Sequence, residues 1–187
     1  MRVAVCDYGA GNVRSVLAAF RRLGADAHST RDPSEVLTAD VAVLPGVGSA
    51  GSAMAGLRRT GLDDALCERV AADGTTLGIC LGLQLALEES EEDGGVPGLG
   101  LLPGRAARLR EGRVPRMGWA PVEPWEETFY FAHSYAAETP AAIAFSEGVV
   151  AAAEAGSFLG VQFHPEKSGP AGARFLAQVL TRCLSRA

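Results

Sequence analysis

Residues 76–84 read TLGICLGLQ, an apolar run that leads into a cysteine flanked by glycines and then into a helical pattern. The spacing Gly78-x-Cys80-x-Gly82 is a cysteine version of the G-x-S-x-G elbow, which holds a nucleophile on a tight turn between a strand and a helix. We expect Cys80 to project at the carboxyl edge of a sheet, where ligands bind in open α/β folds. The start of the following helix should favour its thiolate. A small core cysteine in a glycine-rich turn would give the same pattern.

Strand and helix patterns alternate around this turn. They predict strands at 2–7, 25–29, 40–44 and 75–79, and helices at 12–23, 63–72 and 81–90. Later segments are shorter and separated by glycine and proline, which predicts strands near 106–110, 121–123, 129–135, 141–145, 149–153 and 158–163, followed by a helix at 170–185. We predict an α/β fold with an open, mostly parallel sheet, helices on both faces, and antiparallel strands from the second half added to it or packed beside it. No repeat or linker interrupts the chain, so residues 1–187 are expected to form a single domain.

Composition narrows the class of protein. The formal net charge of −5 argues against nucleic acid as a main partner, although the arginines between 105 and 116 could form a local basic patch or a solvated hairpin face. No apolar run approaches the roughly 18 residues that span a bilayer, and no signal-peptide pattern precedes the first strand. The four cysteines are scattered without a CxxC pair, which favours a reduced, cytoplasmic protein without a metal site or disulfide framework.

A second stretch, residues 160–168 (GVQFHPEKS), places His164 and Glu166 two residues apart at the end of an apolar strand. A cysteine nucleophile needs a base, and the base needs an acceptor that orients it. Both could come from this turn, which Pro165 stiffens. A surface His-Pro turn after an edge strand is the alternative. His133 is a rival base, but it lacks a carboxylate two residues on.

A third stretch, Pro45–Gly48, follows a predicted strand. Gly46 and Gly48 allow backbone amides to point into a site, where they and the amide of Leu81 could hold an oxyanion. A plain strand-to-loop turn would look the same. The nearby Gly9-Ala10-Gly11 does not make a dinucleotide fingerprint, because Arg14 occupies the position of the third glycine.

Six stretches together carry a family resemblance that spans nearly the whole chain: Asp7–Asn12, Pro45–Gly48, Gly78–Gln84, Met117–Trp119, Phe129–Tyr135 and Gln162–Ser168. The chain resembles the class I, triad-type glutamine amidotransferases. Within that class it is most similar to the glutaminase subunits of imidazole glycerol phosphate synthase, which serve histidine biosynthesis. Leu83 stands where the family has Met, Ala120 stands where it has Asn, and the stretch between Tyr135 and Gln162 is shorter than usual.

The resemblance implies a role for each matching residue. Cys80 would be the nucleophile, His164 the acid and base, and Glu166 the carboxylate that orients His164. Residues that would hold glutamine or its oxyanion are Val47, Gly48, Leu81, Gln84, Glu92, Ser134 and Tyr135. Residues that would face a partner subunit are Asn12, Trp119, Tyr130 and Lys167. The family's oxyanion loop is thought to need a peptide flip before it becomes competent.

The resemblance also implies an activity and a partner. Glutamine would be hydrolysed to glutamate and ammonia without a cofactor, and the ammonia would pass to a (β/α)₈-barrel cyclase in a heterodimer that makes imidazole glycerol phosphate and AICAR. Three alternatives remain: an amidotransferase that serves another acceptor, a non-catalytic binding subunit on the same fold, and a stand-alone cysteine hydrolase or redox-stress protein. An assay of binding to candidate synthases would distinguish the amidotransferase that serves another acceptor. A broken triad would indicate the non-catalytic subunit, and activity without a partner would indicate the stand-alone hydrolase or redox-stress protein.

Overall fold

The structure, a computed structural model, describes residues 1–9 and 12–186; Ala10 and Gly11 of the Asp7–Asn12 stretch lie outside the described residues. In chain order the helices and strands are β1 Arg2–Cys6, α1 Val13–Arg22, β2 Asp26–Thr30, α2 Pro33–Thr38, β3 Val41–Leu44, α3 Ala50–Thr60, α4 Leu62–Ala71, β4 Thr76–Ile79, α5 Leu81–Leu85, β5 Glu89–Ser90, β6 Val96–Pro97, β7 Arg105–Arg108, β8 Arg116–Val122, β9 Glu127–His133, β10 Tyr135–Glu138, β11 Ala142–Ser146, β12 Val149–Ala155, β13 Phe158–Val161 and α6 Gly169–Arg186.

A large sheet organises the described part of the chain, with seven strands in the order β11-β12-β13-β4-β3-β1-β2. The five strands from β13 to β2 are parallel, and β12 and β11 join antiparallel at one edge. Every residue of β3 and β4 is buried, as expected for strands that are covered on both faces. The predicted α/β fold, with antiparallel strands added by the second half, is confirmed.

Helices cover both faces of this sheet because each has an apolar side. On one face, α1 and α6 bury Val16, Phe20, Phe175 and Leu176 in a core shared with the sheet. On the other face, α2 to α5 bury a second cluster that includes Leu57 of α3. Of the helices on this second face, α2 and α3 had no counterpart among the predicted elements. In α3 the sequence AGSAMAGLRRT is rich in small residues, and small residues give a weak apolar periodicity.

The strand β13 differs from its prediction. It was grouped with the antiparallel strands of the second half, but it is antiparallel only to β12 and runs parallel to β4 on its other side. All four of its residues are buried. A short apolar run shows that a strand is buried but not in which direction it runs, so only the tertiary structure places β13 beside β4.

The helix predicted over 81–90 ends at Leu85. The carbonyl oxygens of Leu85, Ala86 and Leu87 accept hydrogen bonds from the N–H groups of Leu99, Leu102 and Gly100, respectively. Residues 99–102 thus supply the donors that a further helical turn would have supplied. The acidic run from Glu88 to Asp93 therefore lies beyond the end of this helix. Its carboxylates accept backbone N–H groups of other segments, among them Ala50 and Gly51 at the start of α3.

The remaining strands lie beside the large sheet. β10, β7, β5 and β6 form a small sheet, and β8 and β9 form an antiparallel pair. In the basic stretch 105–116, Arg105 and Arg110 lie 3.5 Å from Glu91, and Arg116 lies 2.9 Å from Glu147. These carboxylates partly neutralise the positive charge of the stretch. Among the described helices, none combines the length and the apolar character that crossing a bilayer requires.

Candidate active site

The turn between β4 and α5 holds Cys80 in a strained conformation. Its backbone has φ 53° and ψ −106°, a region that side-chain-bearing residues rarely occupy and that costs on the order of 1–3 kcal/mol. Gly82 is required because a β-carbon there would collide with the carbonyl oxygen of Leu44. A β-carbon on Gly78 would lie 2.7 Å from the Phe158 ring. The glycines therefore let the elbow pack directly on β3 and β13.

The adjacent strand brings the histidine to the cysteine. β4 and β13 are parallel neighbours, with Ile79 paired to Val161, and the Cys80 N–H donates to the Val161 carbonyl at 2.7 Å. His164 follows three residues after Val161. Its N–H donates to the Tyr130 carbonyl at 2.9 Å, and the Ser168 hydroxyl donates to its carbonyl at 2.7 Å. The histidine turn is thus held against β9.

His164 and Glu166 form a buried pair. The Nδ1 atom of His164 lies 2.9 Å from Oε1 of Glu166, and both side chains are almost fully buried. A carboxylate only accepts, so Nδ1 carries a proton in this pair. Burial lowers the pKa of His164, but the adjacent Cys80 sulfur and Glu166 carboxylate outweigh it and raise the pKa from 6.5 to about 9.

The Cys80 sulfur lies next to the His164 ring, and this contact is one cause of the raised pKa of His164. Among the described residues, hydrogen bonds of the sulfur run to the Ala132 carbonyl at 3.8 Å and from Nε2 of Gln162 at 3.5 Å. The sulfur also interacts with the imidazole, and this side-chain hydrogen bond contributes to the raised pKa of His164.

Cys80 and His164 line one pocket of about 330 Å³, a suitable size for an amino acid. All seven residues predicted to hold glutamine or its oxyanion line the same pocket: Val47, Gly48, Leu81, Gln84, Glu92, Ser134 and Tyr135. A larger cavity, of about 790 Å³, lies among the arginines of 108–116 and shares with this pocket only Met117. It contains neither Cys80 nor His164, so the smaller pocket is the candidate active site.

The loop after β3 reaches this pocket through Val47 and Gly48. Gly48 has φ 102°, a left-handed conformation that glycine adopts without strain. Within residues 1–9 and 12–186, neither amide of this pair donates a backbone hydrogen bond. Both N–H groups therefore remain available to an anion. Glu92 lines the same pocket, where burial raises the pKa of its carboxylate, which accepts the Ala50 N–H at 2.8 Å.

His133, the rival base, is oriented differently. Its Nδ1 atom lies 2.9 Å from the Tyr135 carbonyl, which can only accept, so Nδ1 carries the proton. Its buried Nε2 atom has no hydrogen-bond partner among the residues that the structure describes. Burial lowers the pKa of His133 from 6.5 to about 4, and the nearby positive charge of Arg116 adds to this effect. His133 is therefore neutral near pH 7, and its side chain lines the pocket.

The residues predicted to face a partner fall into two groups. Trp119 and Tyr130 are cross-strand partners on β8 and β9 with ring centroids 6.0 Å apart, and Lys167 lies over the Tyr130 ring at 6.0 Å. Trp119 is 58% exposed, and Lys167 also lines the active-site pocket. Asn12 lies instead in a separate cleft with Asp7 and other residues at the ends of β1 and β2.

Four residues around the site were not predicted: Gln162, Pro115, Met117 and Ala132. Met117 is 65% exposed beside Trp119. Gln162 is fully buried and donates to the nucleophile. A polar residue inside the apolar run Phe158–Phe163 was the available signal, because buried amides need hydrogen-bond partners. Among the described residues, no group of three or more His, Cys, Asp or Glu side chains could hold a metal ion.

Comparisons with known proteins show the family to which this chain belongs. Residues 4–183 match the family described as Glutamine amidotransferase class-I. The chain is 44% identical to the imidazole glycerol phosphate synthase subunit HisH of Symbiobacterium thermophilum, over 94% of this chain and 92% of that protein. It is 40% identical to the chloroplastic imidazole glycerol phosphate synthase hisHF of Arabidopsis thaliana, over 95% of this chain and 34% of that longer protein.

The fold has solved relatives as well. One structure, described as a glutamine amidotransferase, superposes with a TM-score of 0.78 over 96% of this chain and 98% of that chain, at 22% sequence identity. At this identity the likeness concerns the fold alone.

Proposed function

We propose a mechanism on the premise that this chain belongs to the glutamine amidotransferase class-I family and, within it, to the HisH subunits of imidazole glycerol phosphate synthase. The chain is a glutaminase: it hydrolyses glutamine to glutamate and ammonia for histidine biosynthesis. One observation carries the assignment of the reacting groups. Cys80, on a strained elbow, shares a pocket with a His164 that is paired to Glu166.

In the first half-reaction, the Cys80 thiolate attacks the carbon of the glutamine side-chain amide. Negative charge develops on the amide oxygen, and the N–H groups of Val47, Gly48 and Leu81 stabilise it. Removal of one such donor costs roughly 2.7–4 kcal/mol of transition-state stabilisation in characterised enzymes. Because the pKa of His164 is about 9, the ring is protonated near pH 7 and can donate the proton with which the nitrogen leaves as ammonia.

In the second half-reaction, water attacks the thioester that remains on Cys80. His164, which has given up its proton, accepts one from this water, and the C–S bond breaks to release glutamate. Glu166 keeps Nδ1 protonated throughout. The other ring nitrogen, Nε2, therefore serves first as the acid and then as the base. The balance is one glutamine and one water consumed, and one glutamate and one ammonia released.

The glutamine substrate would lie along the wall formed by Gln84, Ser134 and Tyr135. Gln84 donates its amide hydrogens to the Tyr135 carbonyl and to Gln162, so its own carbonyl oxygen remains for the substrate. Glu92 supplies an acidic group in the same pocket, which suits the α-ammonium group of an amino acid. Within the described residues, its other role is to accept the Ala50 N–H at the start of α3.

A partner subunit takes up the ammonia. HisH relatives are named as subunits of a synthase, and the longer hisHF relative joins a segment similar to this chain to further sequence. We propose that the partner is a (β/α)₈-barrel cyclase in a heterodimer. It would bind over Trp119, Tyr130 and Lys167, of which Lys167 lines the pocket. Protonation in bulk water would waste ammonia, so a closed interface favours its direct transfer. We also propose that residues 1–187 act as one domain in the cytoplasm.

The decisive experiment is Cys80→Ala in the complex with the cyclase subunit. We expect glutamine-dependent synthesis to fall to background, because loss of a triad nucleophile costs on the order of 10⁶-fold in kcat in known hydrolases. Synthesis from added ammonium salt should stay intact, because the cyclase does not use the thiol.

Cys67→Ala is the matched control, since Cys67 lies on α4 outside the pocket and its thiol contacts the Leu99 carbonyl at 3.7 Å. It should leave both activities unchanged. Glutamine-dependent synthesis that persists in Cys80→Ala would refute the proposed nucleophile.

A further inference from the structure

The side chain of Gln162 is fully buried immediately beyond β13. Its Nε2 atom lies 3.5 Å from the Cys80 sulfur, and its Oε1 atom lies 3.0 Å from Nε2 of Gln84. A buried amide is costly to leave unpaired, and here both ends of the amide have a partner. These contacts form a hydrogen-bond network that ends at the nucleophile.

The orientation of the Gln162 amide follows from its neighbours. The Gln84 amide lies 2.7 Å from the Tyr135 carbonyl, which can only accept, so the Gln84 atom at this contact is the NH₂ nitrogen. The same nitrogen faces Gln162, so the facing atom of Gln162 must be its oxygen. The NH₂ group of Gln162 consequently faces the sulfur, and an exchange of its two ends would place two donors against each other.

The other end of this hydrogen-bond network is also fixed by a hydrogen bond. The Tyr135 carbonyl accepts a second hydrogen bond, from Nδ1 of His133 at 2.9 Å. His133 is neutral near pH 7 and donates to this carbonyl in that state. His133 and Gln84 thus both donate to the Tyr135 carbonyl, Gln84 also donates to the Gln162 oxygen, and the Gln162 nitrogen donates to the Cys80 sulfur. Every oxygen in this network accepts and every nitrogen donates.

We propose that Gln162 is a positioning residue that holds the Cys80 sulfur and favours its thiolate over its thiol. This inference rests on the proposed role of Cys80 as nucleophile. A thiol can donate to the Ala132 carbonyl, which lies 3.8 Å from the sulfur, whereas a thiolate cannot. An N–H bond to a charged acceptor is roughly twice as strong as one to a neutral acceptor, so the Gln162 donor stabilises the charged form. The donor acts before glutamine binds.

The test measures alkylation of Cys80 by iodoacetamide as a function of pH, read by mass spectrometry of the Cys80 peptide. Gln162→Met removes the donor and keeps the volume. We expect alkylation at pH 7 to slow by roughly 10- to 100-fold, the range that corresponds to one hydrogen bond to a charged group. At high pH, where the thiol is fully ionised in every variant, the rates should converge. A merely structural role of Gln162 would not produce this pH dependence.

Gln162→Glu is the second variant, because it keeps an oxygen toward Gln84 and replaces the NH₂ group with a carboxylate oxygen. We expect a displacement of the alkylation profile to higher pH at least as large as in Gln162→Met. Gln178→Glu is the matched control: Gln178 is exposed on α6, and its replacement should leave the profile unchanged.

A measurement on the unmodified chain covers the case in which the variants fold poorly. The sequence has three glutamines and one asparagine, so the side-chain amides give only four pairs of NMR signals. One glutamine pair should move when Cys80 is alkylated. The proposal fails if no pair responds, or if folded Gln162→Met keeps the alkylation profile of the unmodified chain. Neither readout requires glutamine turnover, so this failure is distinct from failure of Cys80→Ala to stop glutamine use.

Discussion

Two buried histidines line the same pocket and behave in opposite ways. His164 follows β13 and His133 ends β9, and in both rings Nδ1 donates to an oxygen 2.9 Å away. The acceptor is the Glu166 carboxylate for His164 and the Tyr135 carbonyl for His133. The pKa of His164 is raised to about 9, whereas that of His133 is lowered to about 4.

Burial is the largest influence on both rings, and it lowers both pKa values. A neutral carbonyl fixes the orientation of a ring but does not compensate for its desolvation. At His164 the Cys80 sulfur and the Glu166 carboxylate together outweigh desolvation, because both stabilise the imidazolium. A cysteine and a carboxylate beside the ring therefore distinguish this acid–base group from a structural histidine, although hydrogen-bond distances alone do not.

The largest difference between the two histidines should appear in catalysis. His164→Gln should reduce glutamine hydrolysis by at least roughly 10²–10⁴-fold, the contribution typical of general acid–base catalysis. His133→Asn should reduce it by less than this, because an amide nitrogen can replace Nδ1 as donor to the Tyr135 carbonyl. Steady-state glutaminase assays of both variants in the cyclase complex measure the difference. Equal losses would remove the functional distinction between the two rings.

A second change should make His164 more like His133. Glu166→Gln keeps a hydrogen-bond acceptor for Nδ1 but removes the charge, so the pKa of His164 should fall below about 9, with the Cys80 sulfur as the remaining group that raises it. NMR titration of the ring protons measures this directly. Glutamine hydrolysis should fall no further than in His164→Gln. A His164 that still titrates near pH 9 in this variant would show that Glu166 is not its counter-charge.

The smallest expected effect concerns stability as a function of pH. An unfolded His133 takes up a proton near pH 6.5, whereas the folded one does so only near pH 4, so the unfolded state binds more protons between these values. The free energy of unfolding should therefore fall as the pH drops from 6.5 to 4, by up to about 3 kcal/mol from this group. His164 acts in the opposite sense: its contribution is complete below pH 6.5 and is lost as the pH rises through about 9.

Urea unfolding of the unmodified chain and of His133→Asn, at intervals from pH 4 to 9.5, tests this expectation. The variant should lose part of the acid-side slope and keep the alkaline-side slope, which belongs to His164. Parallel curves for the two proteins between pH 4 and 6.5 would contradict the lowered pKa of His133.

Local patterns in the sequence predicted much of the fold. The apolar runs of β1, β3 and β4 and the spacing in α1 and α6 indicated buried strands and amphipathic helices within a few residues of their observed bounds. The helix after Cys80 was drawn too long, because the hydrogen bonds that end it come from residues 99–102. The direction of β13 was missed for a similar reason, since its partner β4 lies some eighty residues away in the chain.

The sequence by itself determined the reactive groups and the turns that hold them: a cysteine between glycines, a histidine two residues before a glutamate, and a glycine loop after a strand. These signals act over a few residues, because backbone sterics and side-chain chemistry are local. Only the tertiary structure decided that the first two meet, through the parallel pairing of β4 with β13. It also decided that one histidine has a pKa far above the other and that a buried glutamine faces the nucleophile. Desolvation, charge and amide orientation depend on every segment that packs around a site, and no single stretch of sequence contains that information.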